Sequence, residues 1–271
     1  MTRPAWSFLS RAALPCLVAA ALVLCLLPAA VRAQGASGAA DEAWPGSPPA
    51  PAAEQPTREA QPAVSFRFGI NHVVLDRPND QPGEVTLLSG SAFTGNGLLL
   101  GATYEHAGLG VSWLSLEGGL FFAHSTASGL SIVGEMQREI LVEANTLRLP
   151  VWLKAKWAAL PELRVFVGTG PELLYGVNSA STIREVNIPE DQQGFLETQS
   201  VTTFQWTGLV GAEVDIGPVV IPLSIHASVN PLVGDKTADR LEGTSSVNNP
   251  GRLRMEFDYE FLFLLGVAYE L

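Results

Sequence analysis

Ten charged side chains stand at alternate positions within otherwise apolar stretches of the chain: Arg67, Glu105, Glu117, Arg148, Lys154, Glu172, Glu213, Glu256, Asp258 and Glu260. Ionised groups placed among apolar residues are costly unless they pair, so this set predicts an interlocked network of ion pairs. The excess of carboxylates over cations leaves a second reading open, a cation-preferring passage for small solutes. The four histidines, His72, His106, His124 and His226, are dispersed and lack metal-ligand spacing. His124 is followed directly by Ser125, the one place where a histidine stands beside a serine nucleophile, and a lipid-modifying hydrolase is the activity that pair would support. The chain carries no phosphate loop, nucleophile elbow or dinucleotide fingerprint, so the reading is non-enzymatic, with no cofactor and no metal site.

The elements that position these charges are strands. The final nineteen residues, Leu253 to Leu271 (LRMEFDYEFLFLLGVAYEL), alternate large apolar residues with Arg254, Glu256, Asp258, Glu260 and then small residues. Period two places each set on its own face of a strand. The same alternation recurs in SFRFGINHVV, GLLLGATYEH, VSWLSLEGGLFF, TLRLPVWLKAKW, LRVFVGTGPELLYGV, FQWTGLVGAEVD and VVIPLSIHASV. With the closing stretch, the strands number eight. Connections after the second, fourth and sixth are a few residues long, and those after the first, third, fifth and seventh run to about twenty, in the alternation of outer-membrane barrels. The predicted fold is all-β, an eight-stranded antiparallel up-and-down transmembrane β-barrel over residues 64–271. Alternation alone does not tell inside from outside, and a soluble secreted barrel with an apolar ligand cavity has the same period. Trp157, Tyr175, Trp206 and Tyr269 lie near strand ends on the apolar face, as an interfacial girdle does, which favours lipid outside.

Residues 1–33 read as a secretory signal peptide: basic Arg3 and Arg11, an apolar run from Ala12 to Leu27, and a small-x-small site at Val31-Arg32-Ala33. Residues 34–63, rich in Ala, Pro, Gly and Glu, read as a disordered linker hanging in the periplasm. Both cysteines, Cys16 and Cys25, fall within the signal, so the processed chain has no thiol chemistry and no disulfide. It keeps 13 basic against 27 acidic residues, a net charge of −14, which argues against a nucleic-acid partner.

Three stretches in order, LGVSWLSLEGGLFFAH, TLRLPVWLKAKW and LRVFVGTGPELLYGV, resemble the PorT-like outer-membrane β-barrel domain family. Leu147, Leu149, Pro150, Leu153 and Lys154 match its second strand motif, and Gly170 and Pro171 its third. Arg148 and Gly119 stand where the family usually has glutamate, so an inward carboxylate pair is altered. Gly266, Tyr269 and Leu271 are similar to a barrel-assembly signal, with Leu271 in place of the usual phenylalanine. The resemblance implies an OmpA- or OmpX-like barrel in the bacterial outer membrane, whose partners are outer-membrane lipid and the barrel-assembly machinery. Long external loops point to a structural or partner-binding role toward an external ligand or protein. The secretion role of the family's named member is not carried over.

Overall fold

The computed structural model describes residues 61–75, 93–133, 135–188, 196–231, 241–242 and 251–271. The signal peptide and almost all of the linker predicted from the sequence lie outside the described residues. Eleven strands follow in chain order: β1 (Ala63–Leu75), β2 (Phe93–Ala107), β3 (Leu114–Val133), β4 (Met136–Leu160), β5 (Leu163–Val186), β6 (Leu196–Gln199), β7 (Thr202–Ile216), β8 (Val219–Val229), β9 (Leu241–Glu242), β10 (Gly251–Arg254) and β11 (Tyr259–Glu270). Eight of them close into a barrel in the order β1-β11-β8-β7-β5-β4-β3-β2. All eight ladders are antiparallel, and β1 meets β11 from Ala63↔Glu270 to Val74↔Tyr259, which abolishes the sheet edge.

The short connections and both barrel ends share one rim. Gly108 (φ 74°) and Gly110 (φ 79°) turn β2 into β3, and Gly217 (φ 64°) turns β7 into β8, each in the left-handed region that suits glycine. Pro161 and Glu162 join β4 to β5. At the opposite rim the strands have unequal lengths. The connection after the third barrel strand was expected to be a loop of about twenty residues. Instead β3 and β4 continue as a ladder up to Val133↔Met136, and β5 follows β4 up to Gln137↔Val186. The physical reason is a weaker alternation that persists into this stretch: Ala127, Ile140, Val142 and Ala144 all lie on one buried face.

A second correction concerns the closing stretch. Leu253 to Leu271 does not form one strand: β10 ends at Arg254 and β11 begins at Tyr259. β10 leaves the barrel to join a small sheet, parallel to β6 and antiparallel to β9. Leu253, Met255 and Phe257, which the alternation assigned to the lipid-facing set, are buried in the barrel's mouth among Val73, Leu75, Phe93, Ile140 and Val142. Both neighbours of β11 end their described pairing at Tyr259, opposite Val74 of β1 and Val229 of β8. Above that level an outward apolar side chain would meet water, and turning it inward gains about 2 kcal/mol per residue. Backbone hydrogen bonds fasten the segment there: Met255 N donates to Gln199 O at 3.0 Å, Asp258 N to Val74 O at 2.9 Å, and Asn230 N to Asp258 O at 2.9 Å. The mouth is thus covered by a β-structured cap.

Candidate functional site

Inside and outside are settled by exposure. Phe66 (69%), Phe68 (56%), Ile70 (58%), Leu98 (66%) and Leu100 (65%) face out, whereas Arg67 (4%), Glu117 (0%), Arg148 (2%) and Lys154 (0%) are sealed in the lumen. A soluble barrel needs the reverse arrangement, so the soluble apolar-ligand alternative is overturned. Tyr104, Trp113, Trp157 and Tyr269 stand exposed near the rim of short turns, and Tyr175 and Trp206 lie toward the opposite rim. An apolar belt between aromatic girdles is the exterior of a membrane-spanning barrel of the outer-membrane type.

The lumen is stacked in layers. Nearest the rim of short turns, Glu105 and Glu117 face each other directly across β2 and β3. Like charges so placed repel. Lys154, arriving from β4, resolves the repulsion: its Nζ donates to Glu105 Oε2 at 2.7 Å, Glu117 Oε2 at 2.8 Å and Glu213 Oε1 at 3.3 Å. The Lys154 ammonium also lies 4.4 Å from the Phe166 ring centroid. Arg67 Nη2 reaches Glu117 Oε1 at 2.6 Å. Lys156 donates to both oxygens of Glu213, at 2.7 and 2.9 Å, and also pairs with Glu105. Arg164 closes this end against Asp215 at 2.6 Å and Glu270 at 3.0 Å. A cavity of about 30 Å³ remains beside Arg67, Glu105, Lys156 and Arg164. That is room for about two water molecules.

Above this layer the filling turns apolar: Leu99, Phe121, Trp152, Phe166, Leu209, Leu262 and Leu264 pack across the barrel. Trp152 sits edge-on to His226, with ring centroids 4.7 Å apart. A second charged layer follows. Arg148 donates through Nε and Nη2 to Glu172 Oε2, at 3.2 and 2.5 Å, and through Nη1 to Glu260 Oε1 at 2.6 Å. Glu172 also accepts from Trp152 Nε1 at 3.1 Å and Thr207 Oγ1 at 2.9 Å. Asn71 Nδ2 donates to Glu260 Oε1 at 2.5 Å and to Ser125 Oγ at 2.9 Å. The apolar cap built on Leu253, Met255 and Phe257 then fills the mouth.

Nine of the ten charged residues singled out in the sequence are therefore buried, and all but Asp258 take part in the ion pairs just described; Asp258 lies at the base of the cap. Glu256 is the exception. The break before β11 swings it out of the lumen, where it pairs with its neighbour Arg254 at 2.9 Å. The sequence reading passed over Arg164, Asp215 and Glu270, whose strand-end positions hid them, and the neutral partners Asn71 and Thr207, which no charge pattern marks. His124 and Ser125 fall on opposite faces of β3. His124 points outward and Ser125 is buried, so the imidazole cannot activate that hydroxyl. A different pair, Ser224 Oγ and His226 Nε2 at 2.8 Å, is enclosed within the lumen. At the C-terminal end, Tyr269 and Leu271 are exposed on the lipid side, while Gly266 packs against Phe66 O and the Arg67 side chain. Among the described residues, no group of three or more His, Cys, Asp or Glu side chains converges to hold a metal ion.

No family model matches the chain, and no curated protein matches it, so the PorT-like likeness rests on the quoted strand motifs. Solved structures that it resembles include the outer membrane protein OprG from Pseudomonas aeruginosa, 11% identical over 79% of this chain and 97% of that one, with a TM-score of 0.45. The N-terminal β-barrel domain of Pseudomonas aeruginosa OprF is 12% identical over 78% and 98%, with a TM-score of 0.35. Neisserial surface protein A is 7% identical over 78% and 96%, with a TM-score of 0.38. The architecture rests on this chain's own ladder and exposure: an eight-stranded, closed, lipid-facing β-barrel of the outer-membrane type.

Proposed function

We propose that this protein is a closed, non-enzymatic barrel of the bacterial outer membrane that holds a structured β-cap at the cell surface for contact with an external partner. The observation that carries this reading is the filling of the lumen from one rim to the other. Two ion-pair layers, an aromatic layer and an apolar cap follow one another, and the cavity of about 30 Å³ lies at the rim of short turns, beside the first charged layer. Small eight-stranded barrels are filled in this way rather than open. This filling of the lumen by described residues weighs against the cation-preferring pore, although carboxylates outnumber cations in both charged layers. The likeness to the PorT-like domain family supplies the same architecture and no transfer of a secretion role. The rim that carries Ala63 and Glu270 belongs to the periplasm in this reading, with the linker on that side, and the β3–β4 hairpin lies outside.

Two measurements test it. In planar bilayers the refolded protein is expected to give no resolved conductance steps; regular steps with cation preference would replace the scaffold by the pore. A Glu135→Cys variant places a thiol at the tip of the β3–β4 hairpin, in a chain whose own cysteines lie in the predicted signal peptide. A membrane-impermeant maleimide is expected to label that thiol in intact cells. Labelling only after the outer membrane is opened would invert the orientation.

A further inference from the structure

The cavity of about 30 Å³ at the rim of short turns is lined by polar groups of two kinds. Most are committed to ion pairs: Lys156 to Glu105 and Glu213, Arg67 to Glu117, and Arg164 Nη2 to Asp215 and Glu270. Two polar atoms are not. Ser115, on β3 and 3% exposed, has no hydrogen-bond partner for its Oγ, and Arg164 Nε, on β5, has none either. Both residues border this cavity. A buried polar atom left unpaired carries the full desolvation penalty of its group, so this lining calls for a partner from outside the chain.

Size and charge select that partner. The volume takes about two waters, which leaves room for little besides water or a single monatomic ion. Arg164 Nε only donates, so whatever meets it must accept. A halide accepts, but Glu105, Glu213 and Glu270 border the same space and repel it. A metal cation suits those carboxylates, yet it cannot accept from Nε and is pressed against Lys156 and Arg164. Water accepts from Nε, takes either role with Ser115 Oγ, and donates its own protons to carboxylate lone pairs. It also adds no charge to a layer whose cations are already paired.

We propose that about two ordered waters are a fixed part of this charged layer, joining Ser115 Oγ and Arg164 Nε to the carboxylates of Glu105, Glu213 and Glu270. They complete the layer between β3 and β5, where side chains alone leave polar atoms unmet. The cavity adjoins Gln61 and Trp113 at the rim, so these waters enter from that side and not through the aromatic layer. The inference concerns the lumen alone; it depends neither on which rim faces the periplasm nor on what the cap contacts.

The test follows the Arg164 Nε–H of the micelle-refolded full chain by proton–nitrogen NMR. The expected result is a cross-peak to water with the sign of direct contact rather than of exchange. Ser115→Val, whose branched side chain fills part of the space, should abolish it. Ser115→Ala separates a wet cavity from a dry one. With waters in place it removes one of their partners and should raise the unfolding constant in urea about fivefold, the loss of one net hydrogen bond. In a dry cavity the same change removes an unpaired hydroxyl and lowers that constant. Absence of the cross-peak in the native chain, or an unchanged or lowered constant in Ser115→Ala, overturns the proposal. The cross-peak is read on the native chain, so it decides the matter even where a variant fails to refold. Stability that shifts when gluconate replaces chloride, or N-methylglucamine replaces sodium, and loses that shift in Ser115→Val would assign the cavity to an ion instead.

Discussion

Replacing Arg148 by methionine is expected to lower the unfolding free energy by about 3–5 kcal/mol, the usual result of removing one partner from a buried ion pair. Arg148 is 2% exposed and holds two carboxylates, Glu172 and Glu260, that are equally enclosed. Methionine fills much the same volume, so the loss is electrostatic rather than a cavity. Glu172 would keep the Trp152 indole and the Thr207 hydroxyl, and Glu260 would keep the Asn71 amide, but neither would retain a cation. The check is urea unfolding of the micelle-refolded variant, followed by the heat-dependent gel shift. Adding Glu172→Gln and Glu260→Gln to Arg148→Met removes both stranded charges and should restore most of the loss. A single-variant cost below about 1 kcal/mol, the level of an exposed pair, would mean that water reaches this layer and the lumen is not closed there.

Trp152→Ala should cost a similar amount through different physics. Trp152 is 2% exposed and is the largest side chain in the layer between the two ion clusters. It touches Phe121, lies edge-on to His226 and donates to Glu172. Truncating a buried aromatic to alanine costs about 3–5 kcal/mol. A graded pair separates the contributions. Trp152→Phe keeps most of the packing and loses only the indole donor, while Glu172 Oε1 keeps the Thr207 hydroxyl, so it should cost about 1.5–3 kcal/mol, the net worth of a hydrogen bond to a charged group. Equal losses in the two variants would show that the hydrogen bond, not the packing, holds the layer. Conductance should stay silent in Trp152→Ala, because the cap of Leu253, Met255 and Phe257 still covers the mouth.

These two expectations belong to a scaffold whose interior is built for closure. The barrel places two layers of charge beside a leucine-rich layer in its lumen, because many of its large apolar residues are committed to the lipid face. In so narrow a lumen each charge then needs a partner from another strand. Lys154 illustrates the result: the three carboxylates around it come from β2, β3 and β7.

The sequence by itself determined which residues share a face. Period two put Arg67, Glu117, Arg148 and Lys154 on one side and Phe66, Leu116, Leu149 and Leu153 on the other, because a strand allows no other arrangement. It also determined the number of barrel strands, though not the three short strands of the small sheet, and the shared rim of short turns, through glycine-rich and proline-bearing connections. Three things were decided only by tertiary structure. Pairing inside the lumen depends on the stagger of the closed barrel, which brings Lys154 of β4 to Glu213 of β7, and no local pattern encodes that distance. The β3–β4 hairpin was hidden because its polar residues outnumber the apolar positions that become the cap's inner face. The stretch from Leu253 to Phe257 keeps a flawless strand period yet turns inward, because its neighbours on β1 and β8 stop pairing at Tyr259. Alternation specifies two faces; which one meets lipid, lumen or water depends on where the surrounding strands end.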